Sequence, residues 1–133
     1  MSQKAFDSLE DKFKPIVAEI MKQLMAKGWQ PVVAEGRRTV AQQKEKVRLG
    51  YSKTMNSYHL TGMAADIVDR RYGWDIPLSH QYWKDQGQIV TDLRKSIPNL
   101  RWGGDWGQGY SRYLSYVLGK TRYFVDVAHV ELR

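Results

Sequence analysis

Residues Ser57 to Asp66 read Ser-Tyr-His-Leu-Thr-Gly-Met-Ala-Ala-Asp, or S-x-H-x-x-G-x-A-x-D. The stretch sets an imidazole, His59, and a carboxylate, Asp66, seven residues apart across Gly62, a residue free to turn the chain. A second imidazole, His129, arrives near the other end in Asp-Val-Ala-His-Val-Glu, residues 126–131. Two His and one Asp suffice as the three protein ligands of a catalytic zinc, with the fourth position left to water. Asp66 follows Met63-Ala64-Ala65 and precedes Ile67-Val68. A carboxylate at such a strand position is costly unless it is paired or bound to metal. His129 has a similar setting among Val127, Ala128, Val130 and Leu132. Taken singly, His59 also fits a turn or surface histidine and Asp66 a turn or edge carboxylate, so the residues alone leave both readings open.

Composition narrows the chemistry. The 133 residues contain no cysteine, which excludes disulfides, thiolate zinc sites and cysteine nucleophiles together. Any metal site must then use His, Asp or Glu, a donor set that suits zinc but makes a closed structural site less apt. A net charge of +7 favours anionic partners such as nucleic acid, anionic lipid or cell wall. The basic residues are scattered, with no block forming a nucleic-acid arm, so specific nucleic-acid binding is not expected. No apolar run approaches a membrane span, so no membrane insertion is expected. The polar start, Met1-Ser2-Gln3-Lys4, carries no secretory signal, which places synthesis in a cytoplasm. The length suits one domain over 1–133, without a separate wall-binding module, and a monomer is expected.

The elements that position these residues follow from pattern. Apolar residues Leu9, Phe13, Ile16, Val17, Ile20, Leu24 and Met25 have helical spacing. Pro15 divides the run into a short helix and a longer one from Lys14 or Pro15, ended by Gly28. Residues 30–35 predict a strand. Thr39 and Gln42 form a capping box for a helix over 40–49, stopped by Gly50. Residues 51–58 predict a loop and Met63–Val68 a strand carrying Asp66. Ser79 is the expected cap of a helix ending before Pro98, with His80 structural at its start. Residues 100–102 and 122–132 predict strands, the first followed by a glycine-rich run over 103–109. Helices first, then mixed strands and helices without a βαβ repeat, predict an α+β fold with a mostly antiparallel sheet.

The two motifs together resemble the LAS metallopeptidases, specifically the VanY-like D-alanyl-D-alanine carboxypeptidase and phage L-alanyl-D-glutamate endopeptidase group. Glu35 to Gln42 resembles that group's G-x-R-T-x-x-x-Q segment, Leu100 to Trp106 its R-x-G-x-D-W segment, and His129-Val130-Glu131-Leu132 its ending. The likeness runs in order over roughly residues 30–132. It implies a hedgehog/D,D-peptidase-like fold in which a small sheet carries one zinc ion. It also implies His59, Asp66 and His129 as ligands, Asp126 as general base and Arg38 facing substrate. Without the resemblance, Arg38 is a solvated surface arginine. Ser57 fits a turn residue and a substrate contact equally.

The pairing of Asp126 with His129 carries a tension. Residues three apart on an ideal strand point to opposite faces. Either Asp126 lies in the loop before the strand, or a bulge realigns it. Glu131 shares the face of His129 and is the rival base, its plainer role being an exposed carboxylate near a chain end. Asp105, among glycines and tryptophans, suits a turn. Tyr58, Trp102, Trp106 and Tyr110 are expected near a cleft.

The resemblance implies a zinc-dependent peptidoglycan peptidase. Within the group, a small basic domain favours a phage endolysin that cuts the L-Ala–D-Glu bond of the stem peptide. Such an enzyme accumulates in the host bacterial cytoplasm and meets the wall after the membrane is permeabilised. The alternatives are a D-Ala-D-Ala carboxypeptidase or dipeptidase, and a non-catalytic basic domain binding cell wall or nucleic acid. Calcium regulation occurs within the resemblance, but the sequence contains no EF-hand-like loop.

Overall fold

The computed structural model describes residues 3–133; Met1 and Ser2, the first residues of the polar start, lie outside the described residues. A short helix α1 (Gln3–Asp7) precedes α2 (Lys14–Ala26), which begins with Pro15 in its first turn, where a missing N–H costs nothing. Val17, Ile20 and Leu24 form the buried face of α2, and each buried side chain contributes about 1.5–3 kcal/mol. Strand β1 (Pro31–Glu35) leads to α3 (Val40–Arg48). There Thr39 Oγ1 accepts from the Gln42 N–H and the Gln42 side chain accepts from the Thr39 N–H, completing the expected capping box.

A 3₁₀ turn (Tyr58–Thr61) then feeds β2 (Ala64–Asp69), α4 (Gln81–Leu93), β3 (Leu100–Trp102), α5 (Tyr110–Val117) and β4 (His129–Leu132). The strands form one antiparallel sheet in the order β1-β2-β4-β3. The α+β class and the antiparallel sheet are therefore as the pattern predicts. All six residues of β2 and all four of β4 are buried, so the sheet is covered on both faces where the two motifs meet. Ala65 and Ile67 join Val130, Leu100 and Trp102 in a core with Val17, Ile20, Leu24, Trp83 and Val90 of the helices. Asp66 alternates with Ala65 and Ile67 and so faces the other way.

Three boundaries differ from expectation. The cap of α4 is His80, whose Nδ1 accepts from the Tyr82 N–H at 3.0 Å; Ser79 stands one residue too early. The last strand is His129–Leu132 alone, because the Asp126 N–H donates to Gly103 O (2.9 Å) and the His129 N–H to Asp126 O (3.1 Å), folding 126–129 into a turn. Helix α5 is unanticipated, although Tyr110, Tyr113, Leu114 and Val117 have helical spacing; Tyr113 is buried in the core and Tyr110 and Val117 pack against it.

Candidate metal centre

The sheet brings the two motifs together. Asp66 of β2 is directly opposite His129 of β4. On the other side of β2, the β1 register jumps from Val33 opposite Ile67 to Glu35 opposite Asp66, leaving Ala34 as a bulge. The bulge turns Glu35 into line with Asp66 and His129. His59 arrives from the 3₁₀ turn, not from a strand. Ser57 Oγ accepts the His59 N–H at 3.1 Å, and Gly62 closes the turn at φ +74°, a backbone state glycine adopts without strain. The Arg38 N–H donates to His59 O (2.8 Å), holding the turn against the chain after β1.

The donor atoms converge. His59 Nε2 lies 3.5 Å and His129 Nδ1 3.4 Å from the same oxygen, Asp66 Oδ1. Bonds of 2.0–2.1 Å to a tetrahedral ion separate donors by about 3.3–3.4 Å, so these spacings fit zinc coordination. Three donors, one per residue, lie within 4.8 Å of one another and can hold a metal ion. His59 Nε2 and Asp66 Oδ1 are buried without a hydrogen-bond partner among the described residues. Buried polar atoms without partners are rare and require an explanation, and a cation supplies one here.

The far nitrogens of both imidazoles are tied down. Gly36 O lies 2.7 Å from His59 Nδ1, and a carbonyl can only accept, so Nδ1 carries the proton and Nε2 the free lone pair. Glu131 Oε1 holds His129 Nε2 at 2.8 Å, and Arg133 Nε donates to Glu131 Oε2 at 2.6 Å. Carboxylate and carbonyl partners of this kind orient metal-binding imidazoles and raise their basicity. Burial opposes a proton on His129, but the neighbouring Asp66 and Glu131 carboxylates outweigh it and push the group up to about 10. Burial likewise opposes ionisation of Asp66, yet the two imidazoles hold its carboxyl well below the usual range. The pocket thus favours an ionised Asp66, and a metal ion must displace the proton on His129 to enter.

Arg38 is mostly buried, contrary to its plain reading as a surface arginine. One guanidinium nitrogen, Nη2, reaches Glu35 Oε2 (3.0 Å) and Asp66 Oδ2 (3.5 Å), so it occupies the Asp66 oxygen that does not face the histidines. Nη1 donates to Gln43 Oε1 at 3.0 Å. Gln43 is fully buried and also donates from Nε2 to Ser52 Oγ and Thr54 O, both at 2.8 Å. Counted from Gly36, the glutamine of G-x-R-T-x-x-x-Q is this Gln43, while Gln42 serves the helix cap.

Asp126 lies in the turn before β4, which resolves the strand-face tension. Its Oδ2 stands 4.0 Å from His129 Nδ1, near the donors without bonding to them. Gly103 seats this turn: a Cβ there would fall on the carbonyl oxygen of Asp126. Burial and then the neighbouring Asp66 charge push the Asp126 carboxyl up to about 6, against the pull of His129, His59 and Arg38. Two clefts open over the donors. One of about 540 Å³ borders Asp66, and one of about 220 Å³ borders His59 and His129; Arg38, Tyr51, Phe124 and Asp126 line both.

The family model described as phage L-alanyl-D-glutamate peptidase matches residues 1–133. The chain belongs to that family. The L-alanyl-D-glutamate peptidase of Listeria phage A118 is 32% identical over 103 residues, covering 75% of this chain. The chain spans about a third (34%) of the length of that relative. Among solved structures, the L-Ala D-Glu endopeptidase ChiX of Serratia marcescens has a TM-score of 0.65 at 24% identity, covering 99% of this chain and 86% of its own. A vancomycin-resistance D,D-pentapeptidase VanY in complex with Zn(II) has a TM-score of 0.52 at 18% identity, covering 93% and 72%. Both share the fold expected from the LAS resemblance.

The family motifs thus meet at one place, and the remaining residues sort around it. Ser57 takes the turn role through His59 and also borders the smaller cleft. Glu131 is not an exposed end carboxylate but a buried one clamped between His129 and Arg133. Its position two residues after His129 placed it on the right face; its burial had no signal in so short a tail. Asp105 is buried and accepts the Gly107 N–H at 2.8 Å, a turn role. Tyr58 and Trp106 border the smaller cleft, and Trp106 lies 5.3 Å from the His129 ring. Trp102 instead fills the core, with Tyr110 stacked on it at 6.0 Å. Gln43 and Glu35 were missed as site residues. The motif spacing could have found Gln43, whereas the bulge that turns Glu35 inward left no mark in the sequence. No helix among the described residues is long and apolar enough to cross a membrane.

Proposed function

We propose that this chain is a zinc-dependent peptidoglycan peptidase that hydrolyses the L-Ala–D-Glu bond of the stem peptide, acting as a phage endolysin. The observation that carries this reading is the pair of partnerless buried atoms, His59 Nε2 and Asp66 Oδ1, set at tetrahedral spacing with His129 Nδ1 beside a raised carboxyl, Asp126. Family membership supports the bond assigned, and the donor chemistry, two imidazoles and a carboxylate without thiolate, supports zinc.

His59, Asp66 and His129 would hold one zinc ion. When bound, it supplies a Lewis acid that lowers the pKa of water to about 7 and polarises the scissile carbonyl. Asp126, in its ionised form, accepts the proton of the attacking water at a carboxylate oxygen and delivers it to the departing D-Glu nitrogen. Arg38 fixes Asp66 through Oδ2 and borders both clefts, where it would face the substrate. As an endolysin, the enzyme meets its substrate once the host membrane is permeabilised.

Digestion of purified peptidoglycan followed by mass spectrometry tests this. New fragments ending in L-Ala, with matching free amines on D-Glu, are expected, and one zinc per chain by metal analysis. Release of D-Ala or D-Ala-D-Ala instead would assign the carboxypeptidase or dipeptidase reading. Wall lysis that survives complete chelation would remove the metallopeptidase reading altogether.

A further inference from the structure

Positive charge is spread unevenly along the chain. Residues 94–124 hold six basic residues, Arg94, Lys95, Arg101, Arg112, Lys120 and Arg122, against one acidic residue, Asp105. The rest of the chain has fifteen against thirteen, so this segment carries most of the net +7. Of the six, only Lys95 has an ion-pair partner among the described residues, Asp92 at 3.5 Å. Asp105 is buried and bonded to the Gly107 N–H, so it offers solvent little charge.

These side chains gather around α5. Arg94 Nη2 and Arg101 Nη1 stand 3.3 and 3.4 Å from the point where a Gly107 Cβ would lie, just before the helix. Arg112, on α5 itself, covers the Tyr123 ring at 3.8 Å, and Tyr123 packs edge-on against Tyr116 of the same helix at 5.4 Å. Lys120 and Arg122 lie on the turn between the helix and Tyr123, and both are exposed.

Helix α5 is apolar on two sides. Tyr110, Tyr113 and Val117 turn to the core. Leu114 and Leu118, four residues apart and so neighbours on the helix surface, are 39% and 69% exposed. Leu118 is the most exposed large apolar side chain among the described residues. An outward apolar face beside unpaired cations marks an interaction surface, and the charge chooses among occupants. A second copy of this chain would set like charge against like. A nucleic acid would engage the cations and leave the leucines in water. An anionic lipid surface satisfies both, since phosphates take the cations while apolar side chains enter the boundary between headgroups and acyl chains. Such adsorption needs no spanning helix.

We infer that α5 and the turn after it form a docking face for an anionic phospholipid surface, with Leu114 and Leu118 entering the headgroup boundary and Lys120, Arg122 and the neighbouring arginines meeting lipid phosphates. The inference is independent of which peptide bond is cut. It gives the peptidase a means of staying at the membrane beside the wall.

Flotation of the full chain with vesicles tests it, one set of phosphatidylglycerol with phosphatidylethanolamine and one of phosphatidylcholine alone. Binding is expected to the first set, weakening as salt rises, and not to the second. Each basic residue lost should cost about fivefold in the partition coefficient, so Lys120→Gln with Arg122→Gln should cost about 25-fold. Leu114→Ser with Leu118→Ser should cost about tenfold. None of these four residues lines the clefts over the donors, so zinc content and turnover of a soluble stem peptide should match wild type in both variants. Lys22→Gln with Lys27→Gln, exposed positions on and just after α2, should stay within about twofold of wild type. Equal binding to both vesicle sets, or binding to neither, overturns the inference. A loss in the α2 variant equal to that of Lys120 and Arg122 also overturns it, because net charge alone would then account for binding. A serine pair that binds vesicles as wild type does overturns lipid docking; tight binding of double-stranded DNA with the same indifference to the serines assigns the face to nucleic acid.

Discussion

Glu131 should control metal affinity without taking part in proton transfer. Its Oε1 holds His129 Nε2 at 2.8 Å and its Oε2 is held by Arg133, in a setting 4% exposed. Glu131→Ala leaves the His129 N–H buried and unpaired, a loss of about 1–3 kcal/mol, and frees the ring to rotate. Removing partners of this kind from metal-bound histidines costs about 10–100-fold in affinity. At about 1.4 kcal/mol per factor of ten, that range corresponds to the same energy. Loss of the Glu131 charge also lowers the proton affinity of His129, which eases metal entry and offsets part of the loss. The lower end, about a tenfold weakening, is therefore expected at neutral pH. Glu131→Gln keeps an acceptor and should fall between wild type and alanine. The measurement is zinc competition against a chromogenic chelator of known affinity, with Asp126→Ala alongside. Asp126 stands 4.0 Å from His129 and makes no hydrogen bond to it, so its loss should leave zinc affinity within about threefold while kcat falls about 10²–10⁴-fold. The reasoning fails if Glu131→Ala binds zinc as wild type does while Asp126→Ala does not, since the two carboxylates would then have exchanged roles.

Other expectations follow from neighbouring contacts. Gly103→Ala should push the Asp126 turn outward, lowering kcat about 10²-fold while zinc stoichiometry stays at the wild-type value. Gln43→Ala strips the buried Arg38 of one partner and the 52–54 loop of two contacts; urea unfolding should show a loss of about 2–3 kcal/mol. Burial notwithstanding, the Arg71 side chain and two backbone N–H groups hold the Asp69 carboxyl below its ordinary value. Its stabilisation is therefore present above the unfolded pKa, about 3.9, and lost as pH falls through the folded one. The stability gap between wild type and Asp69→Asn should be constant at neutral pH and close below about pH 4. For turnover, Asp126 at about 6 sets an upper bound on the acid limb of kcat, because a bound cation lowers it further. An acid limb well above 6 would show that another group is the base.

The fold was legible where local chemistry is strong. The capping box at Thr39, Pro15 in the first turn of α2 and the glycine after it each act within one helical turn, so sequence spacing carried them. It was less legible where a long-range contact decides. Residues 122–128 alternate well enough for a strand, yet the Asp126 N–H bonds to Gly103, twenty-three residues away, and no ladder forms before His129. The His80 cap escaped because an imidazole accepting a backbone N–H is an uncommon cap beside the serine that precedes it.

The site divides along the same line, and the division bears on mechanism. The grouping of His59, Asp66 and His129 came through the family resemblance, since taken singly the residues also fit turn and edge roles. What orients them depends in part on a bulge that left no mark in the sequence. The Ala34 bulge turns Glu35 toward Asp66, and Glu35 with Gln43 then fixes the guanidinium of Arg38. Arg38 in turn occupies Asp66 Oδ2 and leaves Oδ1 facing both histidines. A carboxylate free to rotate could offer either oxygen, and the donor triangle would lose its spacing. On the proposed reading the arginine has two tasks at one address, holding Asp66 through Nη2 and facing substrate where it borders the clefts. That predicts a double signature for Arg38→Lys. A lysine keeps the charge but cannot bond Glu35, Gln43 and Asp66 in one plane. Zinc affinity and kcat should therefore fall together, whereas an arginine serving substrate alone would leave zinc affinity unchanged.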